Sequence, residues 1–176
     1  MKNDKIRRML PAFVLLFSML VLLCSCAASP PDYFAYRERA ASAELEGSLY
    51  GSPFCARLSF STGAEGYGVE LEYLRHPTLA GLCLVARFDE SGSPIGEAQV
   101  CFSGLSYRTE GEALEGLLLP AEALLREGDL QSVTREGDGY RLVPREGEVL
   151  TLGADGTPIG FRSDAVDFWI VWWENT

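Results

Sequence analysis

The sequence predicts a mainly β (α+β) protein: a curled antiparallel sheet or half-barrel with one or two short helices, after an N-terminal signal peptide. Apolar and polar residues alternate with a period of two over most of the chain from residue 41, as in strands with one buried and one solvated face. Gly, Pro, Asp and Ser cluster between these segments, where hairpin turns are expected. One stripe of leucines has the spacing of a short helix.

Residues 1–25 are predicted to be a secretory signal peptide. Their basic start consists of Lys2, Lys5, Arg7 and Arg8. An uncharged apolar core follows over residues 11–23, and it is shorter than the ~20 apolar residues that a membrane-spanning helix needs. A basic start, a short apolar core and small residues at its end are typical of an exported protein.

Leu23, Ser25 and Cys26 resemble the bacterial lipobox, in which a small residue precedes the modified cysteine. The resemblance implies that a diacylglycerol is attached to the Cys26 sulfur and that the mature chain begins there. Two acyl chains are enough for stable anchoring. We therefore expect a lipoprotein on the extracytoplasmic face of the cell membrane. The alternative is an ordinary cysteine in an uncleaved signal anchor.

The mature chain is predicted to be strongly acidic. Four of the 15 Lys and Arg and one of the 25 Asp and Glu precede Cys26, which leaves 11 basic and 24 acidic residues and a formal charge of −13. Such a charge repels nucleic-acid phosphates and anionic lipids, so no nucleic-acid partner is expected. Residues 26–32, with the Pro30-Pro31 pair, are expected to form an extended tether about 20 Å long.

Residues 33–176 are predicted to form a single domain. It opens with two helical turns over residues 33–41, with Asp32 as N-cap. A hairpin around residues 51–53 and a strand over residues 67–74 follow. After the leucine stripe described below, turn residues separate five further predicted strands, over residues 130–135, 139–143, 149–152, 158–162 and 165–173.

A hairpin centred on Gly92 is predicted to join residues 81–89 to residues 95–103. Its register pairs Leu82 with Phe102, Leu84 with Val100, Ala86 with Ala98, Arg87 with Glu97, and Cys83 with Cys101. Opposed antiparallel residues lie close enough for a disulfide, so Cys83 and Cys101 are a possible bonded pair. Two free thiols that pack as small apolar groups are the alternative.

The helical stripe comprises Leu114, Leu117, Leu118, Ala121, Leu124 and Leu125. Proline clashes inside a continuous helix but suits the first turn of one. We therefore expect a loose turn and then a short helix from about Pro120 to Glu127, ended by Gly128. A connector packed on the core is the simpler interpretation, and a moving lid is the less favoured one.

The last predicted strand is apolar on both faces. Simple alternation places Val166, Phe168, Ile170 and Trp172 on one face and Trp169, Val171 and Trp173 on the other. Each face then needs a cover, which could be the core, the helix or a ligand. Trp169, Trp172 and Trp173 are therefore candidate ligand-binding residues.

The order of elements resembles the half-barrel fold of periplasmic lipoprotein carriers, LolA and LolB, and their lipoprotein relatives. The resemblance covers most of residues 33–174 and depends on an N-terminal helix, curled strands, a helical insertion and final strands around Asp155-Gly156-Thr157-Pro158. It implies the carriage of a lipid or a lipoprotein by the fold. It assigns no functional residue of that family to a position here.

Catalytic and metal-binding motifs are not found in the sequence. His76 is the only histidine, and Pro77 follows it, so we interpret His76 as a loop residue. Nucleophile elbows, phosphate-binding glycine loops and paired-cysteine zinc spacings are lacking. We therefore expect no catalytic residue, no metal and no cofactor, and a protein that is not an enzyme.

Two functions follow from the sequence. The favoured one is a non-enzymatic, membrane-anchored module whose concave sheet face binds an apolar ligand or a lipoprotein. The alternative is a structural or assembly lipoprotein of the cell envelope, whose interior is filled by its own side chains and whose outer face binds another protein. A large cavity would favour the first, and a filled core the second.

Overall fold

The computed structural model describes residues 31–64, 66–126 and 128–175. The predicted signal peptide, residues 1–25, and Cys26 lie outside the described residues. Within these residues, eleven strands run in chain order: β1 Ala41–Leu49, β2 Ser52–Gly63, β3 Gly66–Arg75, β4 Cys83–Phe88, β5 Pro94–Phe102, β6 Leu105–Glu110, β7 Ser132–Glu136, β8 Gly139–Val143, β9 Val149–Leu152, β10 Pro158–Arg162 and β11 Val166–Asn175. The same described part of the chain contains one α-helix, α1, over Glu115–Leu125, and short 3-10 helices over Ala35–Glu38 and Gly111–Leu114.

All the strands form one antiparallel sheet, which confirms the predicted fold class. Its order is β6-β5-β4-β3-β2-β1-β11-β10-β9-β8-β7. Two meanders are therefore joined where the first strand pairs with the last, from Ala41 opposite Asn175 to Leu49 opposite Val166. The sheet stays open, with β6 and β7 at its two edges. In the part of the chain that is described, no helix is long and apolar enough to span a membrane.

One face of the sheet, called the inner face here, carries the core. Its buried side chains are Ala43, Leu45, Ala56, Leu58, Phe60, Val69, Leu71, Tyr73, Leu84, Ala86, Phe88, Ala98, Val100, Leu142, Leu150, Leu152, Phe161, Val166 and Phe168. Helix α1 belongs to the same core through Leu118, Leu124 and Leu125, all fully buried. Burying one such leucine contributes about 1.5–3 kcal/mol. The inner face is therefore covered by the protein's own helix.

Helix α1 begins at Glu115, earlier than the predicted start near Pro120. The prediction that Pro120 begins the helix is therefore wrong, since Pro120 lies inside it. Proline lacks the N–H that would bond to the carbonyl of Gly116, one turn earlier. The helix ends at Leu125, where the Arg126 backbone N–H donates to the Glu122 carbonyl at 2.8 Å. Burial of the leucine stripe on the sheet compensates for the helix stability lost at the proline. Helix propensity, which ignores this packing, therefore placed the start of the helix too late.

The N-terminal segment is fastened to the end of α1. The Tyr36 hydroxyl donates to the Leu124 carbonyl at 2.7 Å, and Arg37 Nε donates to the same oxygen at 3.1 Å. Arg37 Nη2 also donates to the Arg126 carbonyl. Carbonyls in the last turn of a helix lack intrahelical partners and favour a nearby cation. The two predicted helical turns are reduced to one 3-10 turn that follows Phe34, so the prediction of Asp32 as N-cap is wrong.

Candidate functional site

A β-bulge in β11 decides where the tryptophans point. Leu45 of β1 pairs with Ile170, whereas Glu44, the preceding residue of β1, pairs with Trp172. Val171 is therefore an extra residue with no partner of its own. Because an inserted residue interrupts the alternation of side chains, the face reverses after it.

The reversal makes the face assignment from simple alternation wrong beyond Val171. Trp169 and Trp172 both lie on the outer face, opposite the core, and are 56% and 46% exposed. Trp173 points inward, with its ring centroid 5.9 Å from that of Tyr36 and 5.8 Å from that of Phe60. Of the three candidates, Trp173 therefore packs on the core, and Trp169 and Trp172 remain accessible to a partner. Their role in binding stays a prediction.

Cross-strand pairing arranges the outer-face side chains in rows that run across the strands. One row, the tryptophan row, contains Trp172, Glu44, Arg57, Glu72, Cys83, Cys101 and Ser106. The neighbouring row, the cleft row, contains Glu174, Ser42, Ser59, Glu70, Val85, Gln99 and Arg108. Each row spans seven strands, or about 29 Å at the usual strand spacing.

An open cleft of about 680 Å³ follows the cleft row. Its floor is low because the side chains there are small: Ser42, Ser59, Ser61 and Gly68. The Ser42 and Ser59 hydroxyls are 2.9 Å apart and hydrogen-bonded. Charged side chains, including Glu70, Arg87, Glu97 and Arg108, line the rest. Apolar groups, including Phe60, Val69 and Val85, line it as well. The cleft is open and lies on the outer face, so it differs from the inner cavity that carriage would require.

Two smaller depressions meet at Trp169. One, of about 400 Å³, extends over β8–β10 and includes Arg141, Thr151 and Gly160. The other, of about 410 Å³, extends over Glu46, Pro53 and the loop after β3. Gly160 pairs directly with Trp169 and has no side chain, which leaves room beside the indole. Trp169 is thus a raised aromatic group with hollows on both sides.

Ion pairs neutralise part of the outer face. Arg75 pairs with Glu46, which lies opposite Trp169 across β1–β11. Arg162 pairs with Asp167 at 3.2 Å. Arg57 pairs with Glu72 at 3.6 Å in the tryptophan row.

The Cys83–Cys101 pairing predicted from the sequence is present, and the cysteines are free thiols on the outer face. The predicted pairing of Arg87 with Glu97 is wrong, because the register shifts after Val85 and Arg87 pairs with Ile95. Burial, and then Glu70, raise the pKa of Cys83 to about 11. Whether the two sulfurs bond stays a prediction.

His76 has a structural role in its loop. Its Nδ1 accepts hydrogen bonds from the backbone N–H groups of Thr78 at 3.1 Å and Leu79 at 3.2 Å. This turn holds the connection between β3 and β4. Among the described residues, no group of His, Cys, Asp and Glu is arranged to hold a metal ion.

A buried charge cluster at the end of α1 was missed in the sequence. Glu122 is buried, and Arg126 lies 3.4 Å from it and 2.8 Å from Glu148. One carboxylate oxygen of each glutamate is buried without a hydrogen-bond partner. Burial raises the pKa of Glu122 to about 7, against the opposing effect of Arg126. The sequence signal was a glutamate within the leucine stripe.

Comparison with known proteins supports the fold. No protein-family model and no curated protein sequence matches the chain. An uncharacterized conserved protein from Thermus thermophilus has a similar structure, with a TM-score of 0.53 and 18% identity over 82% of this chain and 84% of that one. MucB aligns with a TM-score of 0.38 and 15% identity over 82% of this chain and 56% of its own. At these identities the first likeness indicates a shared fold alone, and the second is too weak to support an argument.

Proposed function

We propose that this chain is a lipid-anchored, extracytoplasmic and non-enzymatic protein that binds another protein of the cell envelope. Cys26 carries the anchor. Trp169, Val171 and Trp172, which together we call the tryptophan surface, form the centre of the binding face. The observation that carries the proposal is that this apolar group is exposed on one face of β11 while α1 fills the other face of the sheet.

The filled interior favours this function over internal carriage of an apolar ligand. The Tyr73 hydroxyl donates to the Leu117 carbonyl of α1 at 2.7 Å, and Leu118 is fully buried beneath it. A lipid on the inner face would have to displace the helix and the leucines that it buries. Each leucine removed from the core would cost about 1.5–3 kcal/mol. Binding of the ligand would have to supply at least as much free energy.

The charges favour a protein over a membrane as the partner. Glu44 and Glu46 lie directly opposite Trp172 and Trp169, and Glu174 follows on β11. Tryptophan is common both in protein interfaces and at membrane surfaces. Carboxylates beside the indoles would be repelled by anionic lipid headgroups. A protein surface can supply matching cations.

Site-specific photocrosslinking in the source organism tests the proposal. The full-length chain would carry a photoreactive phenylalanine analogue at Trp169 or Val171, or at Leu105 on the distant edge strand β6 as an exposed control. We expect one discrete protein adduct from the two positions on the tryptophan surface and none from Leu105. Adducts with lipid alone would instead assign this surface to the membrane. Equal adducts from all three positions would contradict a defined interface.

A further inference from the structure

We propose that the surface around Trp172 binds the cationic side chain of a lysine or arginine, so that the partner presents a basic segment there. The inference rests on the proposed function, since it names the chemistry of the protein that the tryptophan surface binds. It depends on the difference between Trp172 and Trp169.

Trp172 lies between two carboxylates that lack a cation. Glu44 is its cross-strand neighbour, and Glu174 is two residues further along the same strand and face. Among the described residues, neither glutamate forms an ion pair within 4 Å. The Cys55 thiol donates to Glu44 at 3.6 Å. Arg57, opposite Glu44 on β2, pairs with Glu72 instead.

Trp169 is similarly exposed, but the carboxylates around it are neutralised. Its cross-strand neighbour Glu46 is paired with Arg75. The carboxylate two residues earlier on the same face, Asp167, is paired with Arg162 at 3.2 Å. An added cation would therefore have to compete with an arginine at each carboxylate near Trp169. Near Trp172, Arg57 lies opposite Glu44 but is paired with Glu72 at 3.6 Å, so it competes less directly for Glu44.

The chemistry of such a site is simple. A cation over an indole ring is attracted by the negative face of the ring, and tryptophan is the best aromatic partner for it. Carboxylates on either side of the ring would accept its N–H groups in charge-assisted hydrogen bonds. The bulge at Val171 places Trp172 opposite Glu44, so the indole and the carboxylate are in one cross-strand pair.

The neighbouring cleft gives the rest of the segment a path. The cleft row starts at Glu174 and passes over Ser42 and Ser59. Small hydroxyl side chains there leave space for a polar main chain. At the distant end of the cleft Arg108 forms an ion pair with Glu97 at 3.2 Å, so this pair favours neither basic nor acidic residues there. The partner segment is therefore expected to be basic near Trp172 and polar but uncharged over the serines.

Fluorine NMR tests the inference on the full-length protein in a zwitterionic detergent. The chain has three tryptophans, so incorporation of 5-fluorotryptophan gives three signals, which Trp→Phe variants assign. The probe is the capped heptapeptide Ser-Lys-Ser-Lys-Ser-Ser-Ser, and the same peptide with Glu in place of Lys is its control. We expect the lysine peptide to shift the Trp172 signal. The Kd from this shift should be at least threefold lower than any Kd measured from a shift of the Trp169 signal. Glu44→Gln and Glu174→Gln together should raise that Kd about tenfold.

Matched variants complete the experiment. Glu46→Gln with Asp167→Asn removes the same number of carboxylates around Trp169 and should leave the Kd at Trp172 within twofold. The inference is overturned if the glutamate peptide binds as tightly as the lysine peptide, or if neither peptide shifts the Trp172 signal. It is also overturned if the double substitution at Glu44 and Glu174 leaves the Kd of the lysine peptide unchanged. Those outcomes would leave the crosslinks from Trp169 and Val171 standing, so the loss of this inference is distinguishable from the loss of the proposed function.

Discussion

Cys83 and Cys101 lie directly opposite each other on β4 and β5, on the solvent side of the sheet, and both are thiols. Opposed residues of antiparallel strands have Cα atoms about 4.5–5.5 Å apart, within the range that a disulfide spans. We expect a small disulfide oxidant to join these two sulfurs by thiol–disulfide exchange. Because the thiolate is the nucleophile, attack by Cys83, whose pKa is raised to about 11, should become faster as the pH increases toward that value.

Thiol counting on the unfolded protein and urea unfolding measure this prediction. With 17 residues between the cysteines, the closed loop should stabilise the fold by about 3 kcal/mol, less any strain. Cys83→Ser should abolish the effect, whereas Cys55→Ser, at the buried cysteine of β2, should leave it in place. A disulfide that involves Cys55 would contradict the prediction.

Glu122 should make stability depend on pH. Its pKa is raised from an ordinary value of 4.5 to about 7, so between these values the folded state binds more protons than the unfolded state. Stability should therefore fall as the pH rises from about 4.5 to 7 and then level off. The loss is of order 3 kcal/mol.

Urea unfolding at a series of pH values checks this dependence by comparison with two variants. Glu122→Gln keeps the shape of the side chain and removes its titration, so its stability should change less across this window than that of the parent. Glu112→Gln, at an exposed position of the 3-10 helix Gly111–Leu114, is the control and should retain the parental slope. Parallel curves for Glu122→Gln and the parent would show that Glu122 does not titrate in this range.

Arg37 should contribute strongly to stability. It is buried, donates to the Leu124 and Arg126 carbonyls, and lies 3.9 Å over the Phe34 ring. Arg37→Met keeps the apolar stem, leaves the Leu124 carbonyl with Tyr36 as its remaining side-chain donor and deprives the Arg126 carbonyl of its Arg37 donor, which should cost about 1–3 kcal/mol. Arg39→Met, at an exposed position, should change the free energy of unfolding by less than about 0.5 kcal/mol. Equal effects of the two substitutions would argue against this role of Arg37.

Cys26→Ser should abolish membrane anchoring. Without the sulfur no diacylglycerol can be attached, so the chain should either leave the membrane or accumulate as an uncleaved precursor. Membrane fractionation with mass spectrometry of the N-terminus measures both. A variant that is cleaved before residue 26 and still fractionates with the membrane would show that another feature holds the chain there.

Local sequence signals were sufficient to predict strand boundaries where a clear turn lies between two segments of alternating apolar and polar residues. The strands β8, β9 and β10 begin and end at the predicted residues, and the turns beside them use left-handed glycines, Gly137 at φ +60° and Gly156 at φ +81°. The strand β6 was not predicted. It is exposed on both faces, so it lacks the alternation by which a half-buried strand is recognised. Its preceding turn, Ser103-Gly104, with positive φ at both residues, was the available signal.

The candidate site was only partly predictable because two irregular residues reset the alternation. Gly96 has φ +62° near the point where the β4–β5 register shifts, which separates Arg87 from Glu97. Val171 does the same in β11 and exchanges the faces of Trp172 and Trp173. Bulges depend on the partner strand as much as on their own sequence. The division of the three tryptophans between the two faces of β11 was therefore predictable from the sequence, but not which of them lies on each face.

The hydrogen bonds of Tyr36 and Arg37 also determine where mechanical force enters the fold. If Cys26 is held in a membrane, any pull on the protein reaches the domain through the segment just before these two residues. Their bonds to the end of α1 lie between that segment and the first residue of β1. Tension would therefore load three side-chain bonds before it reached the Ala41–Asn175 pair that begins the β1–β11 seam. The strand that presents Trp172 is thus mechanically shielded from the tether.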